Sequence, residues 1–99
     1  MTGIPEYTIT NPGSFQLSQN YPNPFNATTE IPFSLPDKSD VLVEIYNLLG
    51  QKVAALFNGS LEAGYHTVTW DGGVNPSGVY FYRIQAGKEI DSRQMILLK

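Results

Sequence analysis

The sequence predicts an all-β fold, an immunoglobulin-like antiparallel sandwich of six to seven strands, and three observations carry that prediction. Apolar and polar residues alternate along almost the whole chain, the period at which successive side chains leave opposite faces of a strand. Turn-forming clusters rich in Gly, Pro, Asn and Asp interrupt the alternation roughly every 8–12 residues. No window of about 11 residues carries a helical stripe, since the one candidate, LLGQKVAALF, is short and contains Gly50. A small barrel satisfies the same pattern. Gly78-Val79-Tyr80 favours the sandwich, because a tyrosine near the start of the penultimate strand fits a tyrosine corner.

Taken in order, FQLSQ reads as a short first strand. TTEIPFSL places Ile31, Phe33 and Leu35 on one face, and Pro32, which has no N–H, assigns the strand to a sheet edge or a bulge. PDKSD is a turn. VLVEIYN sends Val41, Val43 and Ile45 inward and Glu44 outward, LLGQ turns the chain, and KVAALF is the next strand. After the loop NGSLEAG, YHTVTW puts Val68 and Trp70 on one face and Thr67 and Thr69 on the other. DGGVNPSG is the longest loop of the second half. VYFYRIQ, dense in aromatic and β-branched residues, is the most strand-prone segment. AGKE reverses the chain into a last strand, IDSRQMILLK.

The segment NYPNPFN, Asn20–Asn26, fits none of these strands. Pro22 and Pro24 fix their own φ and hold the preceding residues extended, so the loop loses little entropy on folding. It reads as a stiff plug holding Tyr21 and Phe25 against the open end of the sandwich, its asparagines bonding backbone groups that no strand pairs.

Several function classes are excluded. A net charge of −3 and a pI near 4.8, with six basic residues scattered from Lys38 to Lys99, provide no clustered basic face for nucleic acid. No apolar run approaches the roughly 20 residues of a membrane-spanning helix. Without cysteine there is no disulfide, thiolate metal site or cysteine nucleophile. The single histidine, His66, reads as a satisfied rim residue. The acid pairs Asp37/Asp40 and Glu89/Asp91 flank turns, where carboxylates cap backbone N–H groups. Neither DKSD nor DGG has the ligand spacing of an EF-hand calcium loop. Trp70 has the inward parity of a core ring. Asn26 and Asn58 lie in acceptor tripeptides for glycosylation, which arise often by chance. The expectation is no enzyme, no cofactor and no metal.

Five segments in order, LSQNYPNPFNATTEIPFSLP, VEIYNLLGQKVAAL, AGYHTVTWDG, SGVYFYRIQAG and the terminal MILLK, resemble the C-terminal sorting domain of the bacterial type IX secretion system, type A, which is related to the immunoglobulin-like domain of flagellar hook-capping proteins. The likeness covers about Phe15 to Lys99. It implies a domain at 15–99 behind a linker or non-native segment at 1–14. It further implies a non-catalytic appendage on a larger cargo, recognised by an outer-membrane translocon and a sortase-like protease. The cargo would be secreted or attached to the cell surface. The family's signal carries over by matching position to Gly78, Tyr80, Gly87, Met95, Leu97 and Lys99. Ala27 departs from the family pattern, where a proline often stands, and Pro32 replaces a usually polar residue. Two other readings stay open: a carbohydrate or cell-surface-binding module, which needs Trp70 or Tyr65 exposed, and a structural spacer.

Overall fold

The computed structural model describes residues 13–99, and the expected linker lies almost wholly outside them. Seven strands and no helix are present among the described residues: β1 Gln16–Leu17, β2 Thr28–Leu35, β3 Ser39–Asn47, β4 Lys52–Leu61, β5 Gly64–Asp71, β6 Gly78–Ala86 and β7 Glu89–Leu97. They form two antiparallel sheets, ordered β1-β2-β5 and β4-β3-β6-β7, packed face to face as the alternation requires.

Parity decides what is buried. Ile31, Phe33 and Leu35 of β2, Val41, Val43 and Ile45 of β3, Tyr80, Tyr82 and Ile84 of β6, and Met95 and Leu97 of β7 all lie in one core with Trp70. Each such side chain stabilises the fold by about 1.5–3 kcal/mol relative to exposure, before entropy is subtracted. The tyrosine corner forms as expected, with the Tyr80 hydroxyl donating to the Pro76 carbonyl at 2.7 Å. Gly87 opens the two-residue β6–β7 hairpin at φ +60°, a left-handed first position of the kind hairpin turns give to glycine.

Three local expectations need correcting. The strand expected at KVAALF continues through Asn58-Gly59-Ser60 to Leu61, because those residues pair with Ser39–Leu42 of β3. Pro32 lies on the middle strand of its sheet rather than at an edge. Its carbonyl accepts from Ser18 N–H on the β1 side at 3.0 Å, so its missing donor faces the two-residue strand β1 and breaks no bond to β5. Glu44 does point outward, yet it is buried. Tyr46, Lys52 and Arg83 cover it from the same face of β3, β4 and β6, helped by two register shifts in the β3–β4 ladder.

Candidate functional site at the last strand

The six residues assigned by resemblance do not all come together. Gly78 pairs with Leu97 and Tyr80 with Met95 across the β6–β7 ladder. Lys99 lies just beyond, its backbone N–H donating to Ser77 Oγ at 2.9 Å and its Nζ to the Gly73 carbonyl at 2.6 Å. These five residues share one end of the sandwich. Gly87 sits in the turn at the far end of the same hairpin.

The plug segment reaches this end from the other side. Phe25 forms a parallel bridge with Leu97: its N–H donates to the Ile96 carbonyl at 3.0 Å, and its carbonyl accepts from Leu98 N–H at 2.9 Å. Asn23 Oδ1 takes the Ile96 N–H at 3.0 Å, and Gln19 Nε2 donates to the Gln94 carbonyl at the same distance. β7 is therefore held on both edges from Gln94 onward, so the MILLK segment is not a free edge. The Phe25 ring is buried and packs 5.8 Å from Trp70, which meets Tyr80 edge-on at 5.3 Å. Offset and edge-on aromatic pairs add roughly 0.5–1.5 kcal/mol each beyond burial.

Only half of the plug expectation survives. Phe25 is 1% exposed but Tyr21 is 77% exposed, its backbone pairing with Glu30 while its ring faces solvent. The other buried residue of this loop is Asn20. Its N–H donates to Tyr82 Oη at 2.9 Å, and its Nδ2 donates to the Pro22 carbonyl and to Thr29 Oγ1 at 3.1 and 3.0 Å. Tyr82 Oη in turn donates to the Ser18 carbonyl at 2.6 Å, and burial pushes the Tyr82 phenol above its ordinary pKa. A buried amide left without partners would cost about 1–3 kcal/mol, so this network ties the loop to β6 and β2.

Half of the six resemblance-derived residues are hidden: Tyr80, Met95 and Leu97 face the core. What they support on the outer face of the four-stranded sheet is a different set, Tyr46, Val79, Phe81 and Ile96, all half-buried. Sequence reasoning passed over these four because the resemblance ranks positions without saying which side of the strand each occupies. The β3–β4 turn displays Leu48 and Leu49 at the same end, and Asn47 Oδ1 fixes that turn by accepting the N–H groups of Leu49 and Gln51 at 3.0 Å.

Elsewhere, Trp70 is buried and Tyr65 exposed, so of the two rings either of which could serve a carbohydrate platform only Tyr65 faces solvent. His66 stacks on Phe33 at 5.6 Å, and its Nε2 lies 2.7 Å from the Glu62 carbonyl, a satisfied rim position. The Glu44 carboxylate accepts from Tyr46 Oη at 2.8 Å and Lys52 Nζ at 3.3 Å, with Arg83 at 3.5 Å. The Tyr46 hydroxyl, ahead of the two cations, holds this carboxyl below the usual carboxylate range against the opposing effect of burial. Among the described residues, no three His, Asp or Glu side chains gather where they could hold a metal ion.

The crystal structure of dimeric latent PorU from Porphyromonas gingivalis is similar to this chain, with a TM-score of 0.66 and 18% identity. The likeness covers 83% of this chain but 9% of that one, and at such identity it supports the fold alone. No curated protein matches the sequence. The model of one family, described as the secretion system C-terminal sorting domain, matches residues 19–98, from the residue before the buried Asn20 to the one that bonds Phe25. A match over residues 19–98, most of the described domain, means that the chain belongs to the secretion system C-terminal sorting domain family.

Proposed function

We propose that this domain, residues 15–99 behind a linker at 1–14, is a non-catalytic module that directs a larger cargo protein across the bacterial outer membrane by the type IX system, for release or attachment at the cell surface. Its partners are then an outer-membrane translocon, which reads the folded domain, and a sortase-like protease, which separates it from the cargo. The observation that carries this reading is the convergence of Gly78, Tyr80, Met95, Leu97 and Lys99 at one end of the sandwich. Three of the five are buried there, so they act by shaping a surface. Val79, Phe81, Ile96 and Lys99 are the groups of that surface that a translocon touches. The signal is a property of the folded end and not of a linear tail.

The test fuses the 99-residue chain behind a periplasmic reporter in a bacterium that has this secretion system. The fused reporter is expected outside the cell and the unfused one in the periplasm. Phe81→Ser, Ile96→Ser and Lys99→Ala variants, each confirmed as folded by its melting transition, are expected to remain in the periplasm. Retention of the unmodified fusion would refute the reading, and normal export of all three folded variants would refute the assignment of the surface. Deleting Met95–Lys99 is the weaker experiment, because it removes two fully buried side chains along with the proposed contacts.

A further inference from the structure

The first half of β7 differs from the second. Glu89 to Gln94 are all exposed, on both faces of the strand. β6 pairs one edge of this stretch without a register shift. The outer edge belongs to residues of even number, since Ile96 spends both its N–H and its carbonyl there. The same parity turns the backbone groups of Ile90, Ser92 and Gln94 outward. Of these, the Ser92 N–H is taken by its neighbour's Asp91 Oδ1 at 2.8 Å, and the Gln94 carbonyl by Gln19. The other four groups make no protein bond among the described residues. An exposed strand edge of this length is a template for another strand.

The side chains say which strand fits. In an antiparallel pairing of two copies with Ser92 opposite Ser92, the residue numbers of facing positions sum to a constant. Ile90 then faces Gln94, and Asp91 faces Arg93, twice by symmetry. Ile90, Ser92 and Gln94 are the outward-bonding residues, so they form the hydrogen-bonded pairs. Asp91 and Arg93 fall on the closer, non-hydrogen-bonded pairs, where opposite charges attract most effectively. Both charged residues are on the same face and exposed, and Arg93 commits only its Nε, to the Leu17 carbonyl at 2.9 Å. Its terminal nitrogens are free to meet a carboxylate. A partner of unrelated sequence would have to match this order of charges; a second copy matches it automatically.

We infer that the open half of β7, centred on Ser92, pairs antiparallel with the same segment of a second copy of this chain, joining two four-stranded sheets into one across a two-fold axis. In the pair, Asp91 releases the Ser92 N–H to the facing Ser92 carbonyl and turns to Arg93 of the other copy. The interface is isologous, as closed dimers require. It leaves the end that carries Lys99 uncovered, and so stands or falls apart from the sorting reading.

Sedimentation equilibrium of the purified 99-residue chain, from roughly ten micromolar to about one millimolar, provides the test. A reversible monomer–dimer equilibrium is expected. Asp91→Arg puts arginine opposite arginine twice, and Arg93→Asp does the same with carboxylates. Each is expected to weaken the dimer at least tenfold, and the double exchange Asp91→Arg/Arg93→Asp to restore it. Ser92→Pro removes an outward N–H that β6 does not use and is expected to abolish the dimer while the melting transition persists. A chain that stays monomeric throughout overturns the inference. So does a dimer indifferent to Ser92→Pro, or a double exchange no better than its single components.

Discussion

Replacing Phe25 by alanine is expected to be among the most damaging single substitutions outside the strands. The ring is 1% exposed, sits 5.8 Å from Trp70, and belongs to the residue that bonds both Ile96 and Leu98. Truncation leaves a void of about 100 Å3, worth about 2.4 kcal/mol at the usual cost per unit of cavity volume. Loss of the aromatic pair and of buried ring area brings the total to about 3–5 kcal/mol, the range seen for deleted core rings. Against a domain stability of about 5–15 kcal/mol this removes a large share. At roughly 4–8 °C per kcal/mol for a domain of this size, the melting midpoint should fall by at least about 12 °C. Urea and thermal unfolding of the wild type, Phe25→Ala and Phe25→Leu measure it, with leucine expected to recover part of the loss. Tyr21→Ala is the internal control: that ring is 77% exposed, and its truncation should stay within about 0.5 kcal/mol. An unchanged midpoint in Phe25→Ala, or equal losses at the two positions, would refute the account of the loop as a plug seated by one ring.

Tyr80→Phe keeps the ring against Trp70 but deletes the bond to Pro76, and should cost about 1–2 kcal/mol by chemical denaturation. Ala27 holds φ at +77°, a region that strains any side chain, so Ala27→Gly should raise stability by about 0.5–1 kcal/mol, while Ala27→Pro, locked near −65°, should lower the melting midpoint sharply. Glu44 has a depressed carboxyl, so its stabilising contribution is present above the unfolded-state pKa and is lost as the pH falls through its folded value. The stability gap between wild type and Glu44→Gln should therefore be widest at neutral pH and close under acid conditions. Tyr46→Phe should narrow that gap, because the Tyr46 hydroxyl is the largest cause of the depression.

Alternation made the strands legible because each has one face on a core, and period two then names the buried residues without knowledge of the partner strand. Val41, Val43 and Ile45 are buried for this reason, as is Trp70. Alternation carries no information where parity has no meaning. In the loop around Pro22 and Pro24 nothing in the sequence distinguishes Tyr21 from Phe25; the choice follows from where Leu97 and Trp70 arrive, dozens of residues away. Alternation gives Glu44 its correct face, but its burial depends on neighbours brought by β4 and β6, and the β3–β4 bulges that set those neighbours have no local signature. Pro32 misled for a related reason. A missing donor forbids pairing on one side only, and a two-residue neighbour asks for little on that side. The resemblance found the right end of the molecule through Tyr80, Met95 and Leu97 yet could not say that these face inward, since a recurrent position is as often a support as a contact.

The route of the chain through the sandwich also separates two tasks in space. Ser14 enters beside Ser34, near the Leu35–Gly64 pair, whereas Lys99 leaves beside Ser77, past the Thr28–Asp71 end of the same ladder. A strand of this length puts about 25 Å between the two points. Whatever polypeptide precedes Gly13 is thus tethered at the opposite pole from the groups proposed for export. Passengers of different size and charge could be exchanged at that pole like luggage behind one label, without altering the geometry a receptor meets at the other.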